Sequence, residues 1–214
     1  MIVYGSSLSP FVRKVLVFAE EKGLEVELRR IGLGSEEPEF REASPFGKIP
    51  GFRDGDFAIS DSSAIVAYLE AVKPDPALIP SEARARARTI WWDEFADTIL
   101  SACGAKMFFN RIVAPRFLQR EGDMAAADKA ERHELPPLLD YLESAIPATS
   151  YLVEDRLTLA DIAVASPFAN LRHLGIAIDH DRYPKITRYA GQMLERPSFR
   201  KLVEKETAFL QRPA

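Results

Sequence analysis

The chain has 214 residues, 47 % of them hydrophobic, and its 28 Lys and Arg against 32 Asp and Glu give a net charge of −4. This composition supports a globular core in one large or two small domains, and the charge excludes an overall basic surface for nucleic acid or anionic lipid. No window approaches the roughly 18 apolar residues of a membrane span, and a signal-peptide pattern is missing at the N-terminus. We therefore expect a cytoplasmic protein without nucleic-acid or membrane partners.

The first 73 residues predict the element order βαβαββα. Apolar spacing, the stop at Gly23 and the hairpin dipeptide Asp54-Gly55 support this order. The predicted elements are a strand at Ile2–Tyr4, a helix at Val12–Glu21, a strand at Val26–Ile31, a short helix or turn at Glu37–Ala43, strands at Phe52–Arg53 and Phe57–Ile59, and a helix from a cap at Ser60 or Asp61 to about Val72. This order is typical of an α/β thioredoxin-like domain.

Three prolines between Pro74 and Pro80 forbid a continuous helix and predict a linker at 74–81. The rest of the chain predicts an all-α domain over 82–214, with helices at Glu82–Asn110, Met124–Ala145, Leu159–Leu174, Lys185–Glu195 and Phe199–Phe209. Because proline lacks an N–H and clashes with the preceding turn, Pro136, Pro137 and Pro167 are expected to kink or interrupt their helices.

The stretch SLSPFVRK has two interpretations. Pro10 suits the first helical position, which makes Ser9 the N-cap of the first helix. Alternatively, the positive end of the helix and the Ser9 hydroxyl stabilise a bound anion such as a thiolate, since helix N-termini lower a thiol pKa from its free value of about 8.5. The residues alone favour the cap.

Two further motifs lie on loops at the same edge of the predicted sheet. In SPFGKIPGF, Pro50 either starts a strand or follows a cis peptide bond, and in the second case Ile49 presents its N–H and C=O to a peptide ligand. In ISDSSAIVAYLE, Asp61 and Ser62 either cap a helix or bind the ammonium and carboxylate groups of an amino acid.

In their joint order these motifs resemble the glutathione-binding half of soluble glutathione transferases: SxSPFxRK, GKIP, and DSSAIxxYL beginning 12 residues after Ile49. The resemblance covers the whole chain. The segment RLTLADIAVASPF is similar to the capping box of this family, with Thr158 as N-cap and Asp161 at the third helical position. The resemblance implies a thioredoxin-like domain at 1–73 that binds glutathione, followed by an all-helical domain.

By the same resemblance, Ser9 activates the glutathione sulfur, as in serine-type bacterial members of the family. Tyr4 stays open as the alternative, because tyrosine-type classes use a residue near the end of the first strand. The implied glutathione-binding residues are Lys48, Ile49, Pro50, Asp61 and Ser62. The expected second-substrate pocket contains Leu8, Phe11, Phe108, Phe109 and Arg111, with Asn110 as a further polar candidate.

The implied function is that of a homodimeric glutathione transferase, with Phe46 as a candidate interface aromatic. Such an enzyme joins the sulfur of its co-substrate glutathione to a small electrophile, or reduces an organic peroxide, and needs no metal. The alternative is a non-catalytic relative that serves as a ligand carrier or a stress-linked protein-interaction module. The single Cys103 excludes a disulfide within the chain, and its apolar helical position predicts a buried hydrophobe.

Overall fold

The computed structural model describes residues 1–212. Its N-terminal part is a four-stranded mixed sheet of β1 (Ile2–Gly5), β2 (Glu27–Arg30), β3 (Gly51–Asp54) and β4 (Phe57–Ser60), with helices α1 (Pro10–Glu21), α2 (Pro38–Ala43) and α3 (Ser62–Val72). The strand order is β2-β1-β3-β4, in which β1 is parallel to β2 and antiparallel to β3. The predicted βαβαββα order is confirmed.

The rest of the described chain is helical. A long helical segment contains α4 (Ala83–Glu94), a π-helical stretch (Phe95–Leu100), α5 (Ser101–Phe108), a second π-helical stretch (Phe109–Val113) and α6 (Ala114–Phe117). After it come α7 (Met124–Lys129), a π-helical stretch (Ala130–Glu134), α8 (Leu135–Ala145), α9 (Leu159–His173), α10 (Pro184–Leu194) and α11 (Pro197–Leu210). Within residues 1–212, the helices are too short or too polar to cross a membrane.

The two faces of the sheet have different cores. Alternate residues of a strand point to opposite faces, and Val3 accordingly belongs to the main core, which continues through α1 and α3 into the helical half. The next residue, Tyr4, packs with Ile31, Phe40 and Ala43 in a small separate cluster on the other face. Tyr4 and α1 are thus on opposite sides of the sheet.

The segment predicted as a linker is held in place by buried polar contacts. The ammonium group of Lys22 donates to the carbonyls of Pro74 and Pro76, at 3.1 and 2.6 Å, and pairs with Glu70 at 2.6 Å. Glu70 in turn accepts the N–H groups of Leu78 and Ile79. Because the network ends on backbone groups of residues 74–79, it fixes the path of the chain between α3 and α4.

The helix-breaking effect expected of the interior prolines is only partly present. Pro167 does not interrupt its helix, since α9 runs from Leu159 to His173 through it. Packing explains this outcome, because α9 is buried over nearly its whole length between α1 and α4. The alternative expectation, a kink at Pro167, stays a prediction. Pro136 and Pro137 lie in the first turn of α8, directly after the π-helical stretch. The backbone hydrogen bonds there change from the π-helical to the α-helical pattern, and the helix continues.

The predicted capping box at the start of α9 is confirmed. The fully buried carboxylate of Asp161 accepts the backbone N–H and the hydroxyl of Thr158, at 2.9 and 3.1 Å, and the N–H of Leu152 at 2.8 Å. Burial raises the pKa of Asp161 to about 6, in opposition to these hydrogen bonds. The carboxylate thus joins the preceding loop to the helix.

We expect Asp161→Ala to lower the free energy of unfolding by about 3 kcal/mol at about pH 7.5, because it leaves two buried backbone N–H groups without their acceptor. Urea denaturation followed by circular dichroism measures this loss. The control Asp181→Ala removes an exposed carboxylate and should change stability by less than about 0.5 kcal/mol. Equal losses in the two variants would contradict a structural role for the capping box.

Candidate functional site

A cavity of about 1470 Å³ lies between the sheet half and the helical half. Its walls come from the loop after β1, from α1 and β2, and from α5 and α11. Six of the residues predicted for the site line it, namely Leu8, Ser9, Phe11, Ile49, Phe108 and Phe109. The sequence therefore predicted lining residues from both the sheet half and the helical half of the chain.

Ser9 is the N-cap residue of α1, but its side chain does not act as a cap. Its backbone is extended, with φ −76° and ψ 127°, and its hydroxyl accepts no N–H from the first turn. The first helical hydrogen bond instead runs from the Arg13 N–H to the Ser9 carbonyl, at 2.9 Å. Ser9 is half-buried and lines the cavity together with Pro10, which has no N–H to donate. The positive end of α1 therefore lies at the cavity wall, and the Ser9 hydroxyl makes no cap hydrogen bond there.

Gly5 lets the end of β1 approach both walls of this site. It has φ +152°, and a Cβ built on it would lie 2.7 Å from a methyl carbon of Val12 and 3.2 Å from Cβ of Ile49. Any side chain at this position would force α1 away from the loop that carries Ile49. The same loop contains the cis peptide bond between Ile49 and Pro50, as the functional interpretation of this motif required.

The N-terminus of α3 is connected to the cavity through Asp97. Asp61 caps α3 by accepting the N–H groups of Ser63 and Ala64, both at 3.0 Å. The hydroxyl of buried Ser62 donates to Asp97, at 3.2 Å, and Asp97 lines the cavity. Burial raises the pKa of Asp97, which its ion pair with Lys14 opposes. An acidic group thus stands beside Ser62 at the cavity wall.

Arg13 links the Ser9 turn to the C-terminal helices. Its guanidinium is fully buried and donates to both carboxylate oxygens of Glu206, at 3.2 and 2.7 Å, and to the side-chain oxygen of Asn170 at 2.7 Å. The Asn170 amide group donates to the Leu8 carbonyl at 2.9 Å. A chain of three hydrogen-bonded groups therefore holds the peptide just before Ser9. His173 completes it by contacting Glu206 at 2.9 Å.

Sequence reasoning missed Gly5, Arg13, Asp97 and Asn170. The available signal was the pair Arg13-Lys14 between Val12 and Val15, which places two cations on or beside the apolar face of α1. Lys14 is as buried as Arg13 and pairs with Asp93 and Asp97, at 2.7 and 2.6 Å.

Two polar residues predicted for the pocket lie elsewhere. Arg111 is outside the cavity lining, because its guanidinium pairs with Asp128 at 2.8 Å and with Glu131 at 2.5 Å. Asn110 donates to the Lys106 carbonyl and accepts the N–H of Asp123. Both side chains thus serve contacts of the helical segment.

The other predicted glutathione-binding residues do not line the cavity. Lys48 is exposed, and its carbonyl accepts the Ser44 hydroxyl at 2.6 Å. Pro50 is buried beneath the same loop, and Asp61 is exposed at the start of α3. Lys48 and Pro50 are the chain neighbours of Ile49, and Asp61 precedes Ser62, which contacts Asp97.

Tyr4 does not line the cavity that contains Ser9. Its ring lies on the opposite face of the sheet, under the guanidinium of Arg29, and its hydroxyl donates to Glu39 at 3.1 Å. Burial and the bond to Glu39 raise the pKa of Tyr4, so the phenol stays protonated.

Cys103 is buried in the core and its thiol donates to the carbonyl of Ala130, at 3.8 Å. Burial raises the pKa of this thiol to about 11. The expectation of a buried hydrophobe is confirmed.

Family models and curated relatives match nearly the whole of this chain. The model "Glutathione S-transferase, N-terminal domain" matches residues 3–77, and "Glutathione S-transferase, C-terminal domain" matches residues 98–197. Glutathione S-transferase 3 of Zea mays is 31 % identical over 164 residues, which cover 74 % of this chain and 72 % of that protein. The chain belongs to the glutathione S-transferase family. A Glutathione S-transferase of Hyoscyamus muticus is 28 % identical over 95 % of this chain and 98 % of its own length.

Members of the family with solved structures share the fold. Glutathione transferase F7 from Populus trichocarpa superposes with a TM-score of 0.83, at 26 % identity, over 95 % of this chain and 97 % of its own. Glutathione S-transferase-I, solved with lactoylglutathione, gives the same TM-score at 25 % identity over 95 % and 98 %. Elongation factor 1-gamma 2 of Oryza sativa subsp. japonica is 27 % identical over 95 % of this chain, which spans 48 % of that longer protein.

We expect Asn170→Ala to lower the free energy of unfolding by about 2–3 kcal/mol, because it leaves the Leu8 carbonyl and one Arg13 N–H buried without a partner. Urea denaturation measures the change. Asn110→Ala is the matched amide control, and since its bonds are at the surface it should cost less than about 1 kcal/mol. A stability of Asn170→Ala equal to that of the parent would refute the link between Arg13 and the Ser9 turn.

Cys103 should resist alkylation in the folded protein. With a pKa of about 11, about one thiol in three thousand is ionised at about pH 7.5. Iodoacetamide treatment followed by mass spectrometry should show no adduct until urea unfolds the chain, after which labelling should be complete. Rapid labelling of the native protein would contradict this assignment.

Proposed function

We propose that the protein is a glutathione transferase of the serine type, in which Ser9 activates the glutathione sulfur. The observation that carries this proposal is the Ser9 hydroxyl at the positive end of α1, facing the cavity and not used to cap the helix. A serine needed only for helix stability would accept an N–H of the first turn. This one is available to a ligand.

The proposed chemistry is thiolate activation. The Ser9 hydroxyl donates a hydrogen bond to the glutathione sulfur, and the N-terminus of α1 favours its negative charge, so the thiol gives its proton to solvent near neutral pH. The thiolate then forms a carbon–sulfur bond with the electrophile as the leaving group departs. Because the sulfur is itself the nucleophile, this step requires no metal ion. Holding both reactants in one cavity supplies the further acceleration of proximity.

The glutathione backbone is proposed to lie along the Ile49 loop. The N–H and C=O groups of Ile49, beside Pro50, pair with the cysteinyl backbone as an added strand would. Asp61 and Ser62 hold the γ-glutamyl end, with Asp97 as a further acceptor for its ammonium group, and Lys48 approaches the glycyl carboxylate. The contact between Ser62 and Asp97 supports this placement.

The second substrate is proposed to bind beside the sulfur, against Leu8, Phe11, Phe108 and Phe109. These side chains come from both halves of the chain and line the same cavity as Ser9. We propose residues 1–73 as the glutathione-binding domain, 74–81 as the linker, and 82–214 as the domain that completes the electrophile pocket. An apolar electrophile or an organic peroxide fits this lining.

We also propose a cytoplasmic homodimer. Phe46 is 88 % exposed, and Ile90 and Trp91 of α4 are 40 % and 50 % exposed. Large exposed apolar side chains are typical of protein interfaces, and pairing of two copies would cover them.

The alternative function is that of a non-catalytic ligand carrier or interaction module. The similarity to Elongation factor 1-gamma 2, whose name describes no transferase, favours keeping it. Retention on immobilised glutathione without turnover of 1-chloro-2,4-dinitrobenzene would support this alternative. Binding together with turnover supports the enzyme.

We expect Ser9→Ala to lower kcat/KM with 1-chloro-2,4-dinitrobenzene by about a hundredfold, because one hydrogen-bond donor to a developing or bound anion is worth this much. Ultraviolet titration of bound glutathione should give a thiol pKa below the free value of about 8.5 in the parent, and near that value in the variant. Retention on immobilised glutathione should change little.

Ser7→Ala is the matched control, since Ser7 lies in the same loop and also lines the cavity. Tyr4→Phe tests the alternative activator. Both should keep the rate and thiol pKa of the parent within about threefold. A normal rate in Ser9→Ala, or a lost rate in Tyr4→Phe, would remove Ser9 from the proposed role.

A further inference from the structure

One polar group at the cavity wall has no hydrogen-bond partner. The hydroxyl oxygen of Ser101 is buried, and within residues 1–212 no group bonds to it. Ser101 is 5 % exposed and lines the cavity. Buried hydroxyls in proteins are nearly always hydrogen-bonded, because an unpaired one has lost its contacts with water and gained none in return. The cavity wall thus contains a donor that the folded chain does not use.

Other helical hydroxyls of this chain are paired within their own helices. A serine or threonine inside a helix commonly donates to the backbone carbonyl four residues back. At Ser101 this acceptor would be the Asp97 carbonyl, but the hydroxyl does not bond to it. Five other helical residues do form this bond, namely Thr89, Thr98, Ser166, Thr187 and Thr207. The stability of the helix therefore does not account for the hydroxyl of Ser101.

Ser101 lies between the two parts of the proposed substrate site. Asp97, four residues earlier, contacts Ser62, where the γ-glutamyl end of glutathione is proposed to bind. Phe108, seven residues later, belongs to the proposed electrophile pocket. Residues four and seven apart share one face of a helix, and Asp97, Ser101 and Phe108 all line the cavity. A ligand group at Ser101 therefore lies next to the bound glutathione and within reach of the apolar pocket.

The helical segment leaves room for a ligand beside Ser101. Gly104 also lines the cavity, and a Cβ built on it would have no described side chain within 4 Å, apart from those of its two chain neighbours. Because glycine weakens a helix interior relative to alanine, this space is kept against helix propensity. Ser101 directly follows the π-helical stretch Phe95–Leu100, and π-helical turns are frequent at functional sites. Space and an unused donor thus occur together.

We propose that Ser101 is a specificity-determining residue, which donates a hydrogen bond to a carbonyl oxygen of the electrophile. The favoured substrate is an otherwise apolar ketone or aldehyde whose reacting carbon lies close to its carbonyl group. The aromatic side chains of the pocket hold the apolar part, and the Ser101 hydroxyl turns to the oxygen by rotation about its Cα–Cβ bond. This inference rests on the proposed binding of glutathione and an electrophile in the cavity.

The chemistry of the neighbouring groups favours a neutral carbonyl oxygen as the acceptor. The carboxylate of Asp97, one turn away, disfavours an anionic acceptor. A carbonyl group also makes a neighbouring carbon electrophilic, so the same group activates the substrate and binds Ser101. A carbonyl that has lost its water on entering the cavity stays unpaired without this donor. The hydroxyl therefore favours carbonyl electrophiles over apolar ones of the same shape.

A matched pair of S-substituted glutathiones tests this proposal on the full chain. S-Phenacylglutathione carries a carbonyl group where S-(2-phenylethyl)glutathione has a methylene group, and the two are otherwise alike. Isothermal titration calorimetry measures their affinities. Ser101→Ala should weaken binding of the phenacyl conjugate by about tenfold, because its carbonyl loses the donor, and binding of the phenylethyl conjugate by less than about twofold.

A stability measurement and two further variants separate this role from a structural one. Because the Ser101 hydroxyl has no partner in the described chain, Ser101→Ala should keep or raise the midpoint of urea denaturation. Thr89→Val removes a fully buried hydroxyl outside the cavity lining, one that has an acceptor, and should leave both affinities unchanged. Gly104→Leu places a side chain in the cavity and should weaken binding of both conjugates alike.

An equal loss of both conjugates in Ser101→Ala, or full retention of the phenacyl conjugate, would overturn the proposal. So would a lower denaturation midpoint of this variant, which would show that the fold uses the hydroxyl. Failure of the parent to bind either conjugate would overturn this proposal together with the proposed function. If both conjugates bind but 1-chloro-2,4-dinitrobenzene is not turned over, the transferase function fails, and the calorimetric comparison still decides the role of Ser101.

Discussion

The buried cation Arg13 constrains the arrangement of the whole site. A charge without access to water is tolerated only when it is paired and hydrogen-bonded, and the partners of Arg13 lie on α9 and α11, 153 to 193 residues later in the chain. Burial opposes ionisation of Glu206, but Arg13 and His173 hold its pKa below the usual value. Helix α1 therefore packs against the C-terminal helices in one register. Any shift along the helix would leave the buried charge of Arg13 without its partners.

That docking controls the surroundings of Ser9. Arg13 is one turn into the helix that Ser9 begins, and Asn170 connects its guanidinium to the carbonyl of Leu8. At the next position, Lys14 pairs with Asp93 of α4 and with Asp97 of the π-helical stretch that follows it. Adjacent residues of α1 thus bind two different parts of the helical half. The turn that contains Ser9 is held by the hydrogen bond from Asn170 to the Leu8 carbonyl, which does not use the Ser9 hydroxyl.

The same framework accommodates more than one function. Relatives of this chain include glutathione transferases and a longer elongation-factor subunit, so the fold alone does not decide the activity. The features of this chain that bear on activity are local: a serine at the N-cap position that lines a cavity, a glycine that lets two walls meet, and an acidic group beside Ser62.

The sequence by itself determined the element order, the N-cap position of Ser9 and the capping box of Thr158 and Asp161, because periodicity, proline position and cap spacing act over a few residues. It also supplied the motifs of the family. Only the tertiary structure decided where long side chains end: Arg111 turned to α7, Asp97 came to Ser62, and Pro167 stayed inside a helix held by its neighbours. These outcomes depend on contacts between segments far apart in the chain. The residues next to a side chain in the sequence do not determine which distant group will pair with its charge or pack against it.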